Sequence, residues 1–266
     1  MVLSLLGSLG FLWGLSSLHL VRDPVRNSLV FVVGVEIING GKVSKNSLQY
    51  MVSVQNNKKH FCGGFLISPQ YVLTAAHCMT VVLGDHNISP QKNLKRYDVI
   101  HKFIPKTFKN VEMGNDIMLL KISSKAVLGE KVKTVKIPDL HYRVESNTQC
   151  LVAGWGSTKQ HKDVNYLLAL NVSTVDIHNC KKAWKKKPKQ KKSITKLPPN
   201  IICAGGYKQN GGVCLGDSGG PLVCNSMAVG IVSFCRICKY PDVPNIFTDI
   251  SKYAHWIKAI KKKKET

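Results

Sequence analysis

Short apolar runs separated by turn-forming residues dominate the chain from residue 37 onward. The runs are rich in Val, Ile, Leu and aromatic residues, and Gly, Pro, Asn or Asp stand between them. Many short runs of this kind, without interleaved helical periodicity, predict an all-β sandwich or barrel. We predict strands at residues 50–55, 61–67, 71–75, 97–101, 117–122, 149–155, 169–175, 221–224 and 228–234.

Two segments depart from this pattern. Between residues 251 and 264, Tyr253, Trp256, Ile257 and Ile260 recur at helical spacing, which predicts a terminal helix packed on the body. Residues 181–192 instead contain eight lysines in twelve positions. Because such a block of like charges repels itself, we predict that it forms an exposed loop.

The N-terminal segment favours export. Residues 1–20 and 29–35 are both largely apolar, and either run could be the core of a signal peptide. Cleavage after Gly34 would leave residues 1–34 as the signal peptide, residues 35–36 as an activation dipeptide and residues 37–266 as the mature domain. A retained signal anchor is the alternative, although neither run is a clean apolar stretch of about 20 residues. We therefore predict a secreted protein with no stable membrane span.

Composition and charge narrow the class of protein. The chain has 266 residues, a formal net charge of +23 and nine cysteines. The positive charge should attract polyanions, but no base-reading motif accompanies it, so we expect no specific nucleic-acid partner. The cysteines indicate an oxidising compartment and a disulfide framework, and their odd number leaves at least one without an intrachain partner.

The segment from Gly216 to Pro221, Gly-Asp-Ser-Gly-Gly-Pro, is the strongest chemical signal. A serine hydroxyl needs a neighbouring base to act as a nucleophile, and backbone amides must face the developing oxyanion. Ser218 would be the nucleophile, and the amides of Gly216 and Ser218 would be the oxyanion donors. The segment also fits the Gly-x-Ser-x-Gly elbow of α/β-hydrolases, but those enzymes place the acid and the histidine after the serine.

Here the candidate base and acid precede the serine. His77 follows a predicted strand and is next to Cys78, and Asp116 leads into a predicted buried strand. A buried carboxylate needs a partner, and the Nδ1 proton of a histidine would fix the tautomer whose Nε2 accepts the serine proton. Taken singly, each residue could equally be structural.

Together these motifs closely resemble the chymotrypsin-like (trypsin-like) serine protease family over residues 37 to about 260. The resemblance also includes the motifs Ile37-Ile38-Asn39-Gly40, Cys62-Gly63-Gly64, Ala153-Gly154-Trp155-Gly156 and Phe247-Thr248. It implies two antiparallel six-stranded β-barrels with the active site between them and a C-terminal helix. It further implies a serine endopeptidase that needs no metal or other cofactor, with Ser218 as nucleophile, His77 as base and Asp116 as the residue that orients His77.

The resemblance also implies a zymogen. Cleavage before Ile37 would free an α-ammonium group that pairs with Asp217. The preceding dipeptide, Val35-Glu36, looks like that of granule proteases such as granzymes, chymases and cathepsin G, which a dipeptidyl peptidase activates. It suggests storage in cytotoxic or mast-cell-type granules, with sulfated proteoglycan as the partner of the lysine clusters and proteins or peptides as substrates.

The substrate pocket can be assigned only through the resemblance. It places Gly212 at the base of the primary pocket, where trypsin-like members carry Asp, and Asn245 on the opposite wall. The pocket would then be uncharged and favour apolar P1 residues. An alternative alignment brings Asp242 to that wall and restores preference for Lys or Arg. The remaining pocket residues would be Ser233, Phe234 and Cys235.

The resemblance pairs eight of the nine cysteines and leaves Cys235 over. The pairs are Cys62–Cys78, Cys150–Cys224, Cys180–Cys203 and Cys214–Cys238. Residues 235–238 also form a Cys-x-x-Cys motif, but a zinc or redox site would need a second ligand pair or a βαβ context, and neither is visible.

The second class of function is a catalytically idle, glycan-binding relative of these proteases.

Overall fold

The protein, in a computed structural model, consists of two antiparallel β-sheets and two α-helices. The structure describes residues 18–23, 28–33, 40–56, 59–78, 83–84, 88, 95–156, 165–185, 196–206, 211–236 and 243–263. The strands are β1 Leu18–Asp23, β2 Ser28–Val33, β3 Gly41–Lys42, β4 Met51–Asn56, β5 Lys59–Ser68, β6 Tyr71–Thr74, β7 Leu83–Gly84, β8 Val99–Phe103, β9 Met118–Ile122, β10 Gln149–Gly154, β11 Leu168–Val175, β12 Ile201–Ala204, β13 Pro221–Cys224, β14 Met227–Phe234 and β15 Asn245–Asp249. The helices are α1 Ile177–Lys185 and α2 Ala254–Lys263.

The first half of the chain forms a six-stranded sheet in the order β7-β4-β5-β6-β9-β8. Its strands pair antiparallel, and the side chains of β6 are buried throughout. One large apolar cluster includes Phe65 and Leu119 of this half and extends into the second half through Val223 and Ile231. Ile257 of α2 belongs to the same cluster, so the C-terminal helix packs on the core that the two halves share.

The second half closes into a six-stranded barrel. The order β11-β10-β13-β14-β15-β12 is completed by a pairing of β12 back onto β11. Strands β3, β2 and β1 continue this sheet beyond β11, with β1 and β2 as an antiparallel hairpin at its edge. The predicted all-β fold with two antiparallel six-stranded units and a C-terminal helix is therefore confirmed. Of the two predicted barrels, the second is closed, and the first is a six-stranded sheet without a closing pair among the described residues. The antiparallel pairing excludes an α/β-hydrolase fold.

All nine predicted strands are present, with shifts of at most two residues at their ends, but β1, β2, β3, β7, β12 and β15 were not predicted. The predicted C-terminal helix is also present, preceded by a 3₁₀ turn at Ile250–Tyr253. In the described residues, no helix is both long and apolar enough to cross a bilayer. The predicted signal peptide includes β1 and β2, which occupy only the edge of the sheet.

The prediction of a loop throughout the lysine-rich block is wrong at its start. Lys181, Lys182 and Lys185 belong to α1, and the rest of the block lies outside the described residues. Trp184 is 3% exposed and its Nε1 donates to the carbonyl oxygen of Pro244 at 3.0 Å. A disulfide joins Cys180 to Cys203 of β12. These tertiary contacts outweigh the repulsion between the lysines.

Three of the four predicted disulfides are present: Cys62–Cys78, Cys150–Cys224 and Cys180–Cys203. The first links β5 to the residue after His77, and the second joins paired positions of β10 and β13. The predicted Cys214–Cys238 bond involves Cys238, which lies outside the described residues.

Candidate active site

The three candidate catalytic residues lie on loops at the boundary between the two halves. His77 follows β6, Asp116 precedes β9, and Ser218 precedes β13. The first two residues therefore come from the first sheet, whereas the serine comes from the barrel. Strand ends fix all three loops, so the chemistry depends on how the two halves are joined.

His77 and Asp116 contact each other directly. The Nδ1 atom of His77 lies 2.8 Å from Oδ2 of Asp116, and the backbone amide of His77 donates to Oδ1 at 3.1 Å. Asp116 is 1% exposed, whereas the His77 side chain is 28% exposed. A carboxylate held in this way orients the imidazole with its Nδ1 proton directed inward, which leaves Nε2 to face the cleft.

The barrel supplies further hydrogen bonds to Asp116. Ser233 of β14 donates its hydroxyl to Oδ2 at 2.5 Å, and Thr248 of β15 donates to the backbone carbonyl at 2.8 Å. Tyr253 donates to the side-chain oxygen of Asn115 at 2.8 Å, and burial raises the pKa of Tyr253 to about 12, which keeps its proton in place. The resemblance assigned Ser233 to the pocket wall, but its hydroxyl is directed at Asp116.

Ser218 is held beside the histidine loop by contacts across the boundary. The amide of Gly63 on β5 donates to the carbonyl oxygen of Ser218 at 2.8 Å. The Sγ atom of Cys78, the residue after His77, lies 3.9 Å from the same oxygen. Because the Cys62–Cys78 disulfide joins the neighbours of Gly63 and His77, one covalent clamp positions both the serine loop and the histidine loop.

The loop before Ser218 has the backbone conformation that an oxyanion site needs. Gly216 has a φ of 94°, a region that residues with a Cβ atom rarely adopt. Within the described part of the chain, the amides of Gly216 and Ser218 donate to no other backbone group. The neighbouring amide of Asp217 is used internally, since it donates to the carbonyl of Cys214 at 3.1 Å.

Asp217 points away from the cleft into a cradle of backbone. It is fully buried, and its two oxygens accept from the amides of Gly156 at 2.8 Å and Cys214 at 2.9 Å. A Cβ atom at Gly156 would lie 2.4 Å from the carboxyl carbon, so only glycine fits there. Burial raises the pKa of Asp217 to about 6, against the smaller opposing effect of the two amides. The ionised carboxylate is therefore under-compensated by its described neighbours.

His60 is a functional candidate that the sequence analysis missed. Its Nε2 lies 2.9 Å from the carbonyl oxygen of Gly216, and its Nδ1 lies 2.9 Å from the hydroxyl of Ser53. Since a carbonyl can only accept, Nε2 carries the proton, and Nδ1 accepts from Ser53. Burial lowers the pKa of His60 to about 4, so the ring is neutral near pH 7. No local sequence signal marks it, because Gly216 lies 156 positions away.

The structure brings Gly212 and Asn245 together. A Cβ atom at Gly212 would lie 2.5 Å from Oδ1 of Asn245, and this oxygen accepts from the amide of Val213 at 3.3 Å. Asn245 is 2% exposed. Phe234 packs edge-on against Trp184, with ring centroids 5.6 Å apart, and Cys235 packs beside the apolar core of the barrel. Asp242 lies outside the described residues.

A second set of residues near the site has metal-ligand chemistry but no free ligands. Donor atoms of Cys62, His77 and Cys78 lie within 4.8 Å of one another. The two sulfurs form a disulfide, and Nδ1 of His77 is bonded to Asp116. Neither sulfur is therefore a thiolate, so this cluster does not have the ligands that a zinc ion requires.

Comparison with known proteins agrees with this geometry. A family model described as Trypsin matches residues 37–257. Trypsin from Sus scrofa is 36% identical over 229 residues, which cover 84% of this chain and 94% of the relative. Granzyme-like protein 1 from Rattus norvegicus is 37% identical over 242 residues, which cover 86% of this chain and 92% of the relative.

A solved structure has the same fold. It is a mutant of human heparin binding protein, similar with a TM-score of 0.72 and 29% identity, over 84% of this chain and 95% of that chain. Two antiparallel halves with a histidine–aspartate pair and a serine loop at their boundary define the chymotrypsin-fold class. Within that class, the chain belongs to the trypsin family of serine proteases.

Proposed function

We propose that the protein is a serine endopeptidase that hydrolyses peptide bonds through an acyl-enzyme intermediate. The observation that carries the proposal is the bond from His77 to the buried Asp116 beside the Ser218 loop. His77 takes the proton of Ser218 as the hydroxyl attacks the carbonyl carbon, and returns it to the leaving amine. The amides of Gly216 and Ser218 stabilise the oxyanion, and water then releases the acyl group.

We further propose that the enzyme cleaves after apolar residues of medium size. Gly212 and Asn245 would form an uncharged pocket base, and the Asn245 side chain takes up space directly above Gly212. Leu215, next to the oxyanion glycine, is 74% exposed and offers an apolar surface at the site. An uncharged pocket leaves a Lys or Arg side chain without a counter-charge, and burying such a charge is unfavourable.

Cleavage-site profiling tests both proposals. The chain beginning at Ile37 is incubated with a diverse peptide mixture beside a Ser218→Ala control, and cut sites are read by mass spectrometry. We expect cuts after apolar residues that disappear in the control. Cuts after Lys or Arg would retain the enzyme but support the alternative pocket with Asp242. Equal cutting by the control would contradict the role of Ser218.

We propose that activation uses the charge of Asp217. A cut between Glu36 and Ile37 by a dipeptidyl peptidase would free an α-ammonium group. That group would supply the counter-charge that a buried carboxylate with a raised pKa requires. An acetylated Ile37 is expected to leave the chain inactive, and full activity of that form would contradict the proposal.

Secretion and granule storage on sulfated proteoglycan complete the proposal. The net charge of +23 and the exposed lysines on α1 and α2 support attraction to polyanionic chains. The similar solved structure is itself named as heparin binding, which favours a glycan partner. The residual alternative is a glycan-binding protein without catalysis. Ser218→Ala is expected to lose cleavage and keep glycan binding, whereas wild-type chain that binds glycan and cuts nothing would favour the alternative.

A further inference from the structure

An open groove lies between α2 and the irregular segment at residues 137–141, away from the candidate catalytic residues. It holds about 640 Å³. Its apolar lining comes from Ile137, Pro138 and Leu140 on one side and Ala254 and Ile257 on the other. Ile257 is 2% exposed and belongs to the core, so the apolar surface of the groove rests on a packed part of the fold.

Lysines line the helical wall of this groove. Lys258, Lys261 and Lys262 are spaced by one, three and four positions, and the pairs Lys258–Lys261 and Lys258–Lys262 share one face of α2. Lys258 and Lys262 are exposed, and Lys261 is partly buried. Like charges at these spacings destabilise a helix, although the last turn tolerates cations through the helix dipole. Lys258 lies before the last turn, and at this position the helix dipole does little to offset the repulsion between the lysines.

The acidic residue of the opposite wall is engaged by its own loop. Asp139 accepts from the amides of His141 at 3.1 Å and Tyr142 at 3.0 Å. Both donors reach the same oxygen, Oδ1, so the loop fixes the carboxylate in place, and its single negative charge faces the three lysines of the other wall. His141 and His255 also line the groove and face it from the two walls. The groove therefore combines apolar surface with a cationic edge.

We propose that this groove is the binding site for a sulfated glycan chain, an inference that rests on the glycan binding proposed above. The sugar rings place their C–H faces on the apolar surface, and their sulfates meet Lys258, Lys261 and Lys262. The cations release counterions from the polyanion as it binds. A peptide fits less well, because a helix and an irregular segment offer no strand edge for its main chain.

The test compares three variants of the mature chain, each lacking three lysines. The groove variant is K258Q/K261Q/K262Q, and the matched control K106Q/K109Q/K125Q removes exposed lysines elsewhere. The third, K181Q/K182Q/K185Q, removes those of α1. Affinity for a heparin-derived dodecasaccharide is measured across a salt series. We expect the groove variant to bind at least about tenfold more weakly, with a log–log salt slope smaller by about 2, and the other two to lose much less.

A fourth variant keeps all the charges and blocks the groove. Ala254 is partly exposed on the groove wall, and Ala254→Phe would fill the space in which the sugar lies. We expect weaker dodecasaccharide binding at unchanged net charge. Thermal unfolding and peptide cleavage by each variant establish that the fold is retained. Normal binding by this variant would contradict a site in the groove.

The remaining outcomes separate this proposal from the broader one. Equal losses in the three lysine variants would mean attraction by diffuse charge, and a larger loss in the α1 variant would place the site there. Either result overturns the groove site and leaves glycan binding intact. A wild-type chain that does not bind the dodecasaccharide overturns both. Binding of poly-glutamate is measured beside the dodecasaccharide. If the groove variant binds poly-glutamate more weakly and the dodecasaccharide normally, the occupant is an acidic polypeptide, which also overturns the proposal.

Discussion

Asp116 and Asp217 are both buried beside the same site, but their surroundings differ in kind. Asp116 contacts a titratable partner, since it bonds the ring and the amide of His77 and also accepts from Ser233. Asp217 accepts from two backbone amides, and burial raises its pKa to about 6. One carboxylate has a partner whose charge can form during the reaction, and the other has dipoles only.

This difference separates the two tasks of the site. The first carboxylate can stabilise an imidazolium that appears in the transition state. The second cannot act on a proton in the cleft, because it faces the cradle of Gly156, and it can only hold the oxyanion loop in place. In the proposed mechanism, Asp217 would anchor the oxyanion loop and depend on a counter-charge, whereas Asp116 would orient His77 and stabilise its imidazolium without taking up a proton.

Replacing Asp116 by asparagine should have the largest effect. The amide would present N–H to Nδ1 of His77 and favour the tautomer whose Nε2 already carries a proton. That nitrogen cannot accept from Ser218, so we expect kcat at neutral pH to fall by about 10⁴-fold, the magnitude known for this change in the Ser–His–Asp template. Asp98→Asn, at an exposed position, is the control. Activity close to wild type would contradict the assigned role.

Replacing Asp217 by asparagine should have a smaller but still large effect. The amide would direct N–H at one of two backbone N–H groups and could not pair with an α-ammonium. With the oxyanion loop displaced, we expect kcat to fall by about 10²- to 10³-fold, as for loss of an oxyanion donor. Because His77 and Asp116 are untouched, the pH profile of the residual activity should keep its shape. If the pH profile of the residual activity changed shape, Asp217 and Asp116 would not have separate roles in catalysis.

In the precursor, the chain before the cut at Ile37, the free energy of unfolding should depend on pH through two groups with opposing effects. Burial raises the pKa of Asp217 from 3.8 to about 6, so the folded state binds this proton more tightly than the unfolded chain. Stability from this group is present below pH 3.8 and is lost as the pH rises to about 6. Burial lowers the pKa of His60 from 6.5 to about 4, so its contribution is present above pH 6.5 and is lost as the pH falls to about 4. Each contribution amounts to about 3 kcal/mol.

The two effects nearly cancel in the unmodified precursor between about pH 4 and 6.5. Asp217→Asn should leave a free energy of unfolding that rises with pH in this window, and His60→Gln should leave one that falls. Urea unfolding at several pH values, with Ser218→Ala present in every chain to prevent self-cleavage, measures both slopes. Equal slopes of unfolding free energy against pH in the two variants would contradict the assignment of the opposing effects to Asp217 and His60.

Local motifs predict the parts of the site that depend on short segments. The all-β class and most strands follow from patterns within a few residues of each position, whereas the three disulfides and the pairing of His77 with Asp116 were implied by the family resemblance of the local motifs. The start of α1 does not, because the buried Trp184 and the Cys180–Cys203 bond override a lysine-rich composition. Strand β15 is short and ends at Asp249, and its pairing with β12 and β14 depends on barrel closure.

The role of His60 illustrates the same limit within the site. In the sequence it is one of nine histidines and stands among ordinary strand residues. Only the closing of the two halves brings its Nε2 to the carbonyl of Gly216 and its ring to within 5.5 Å of the Trp155 ring centroid. Ser233 likewise has a hydroxyl whose direction, toward Asp116, depends on how β14 of the barrel packs against the loop of Asp116.

Ser233→Ala should have the smallest effect on kcat, and it tests directly the hydrogen bond from the barrel to Asp116. Oδ2 of Asp116 accepts from both Ser233 and Nδ1 of His77, so the loss of one donor weakens the hold on the carboxylate without removing its charge. We expect kcat to fall by about tenfold, equivalent to about 1.4 kcal/mol, with KM unchanged. Ser233→Thr, which keeps the hydroxyl, should restore much of the loss. A rise in KM with kcat unchanged would instead mean that Ser233 acts as a pocket residue, and the support of Asp116 from the barrel would then be dispensable.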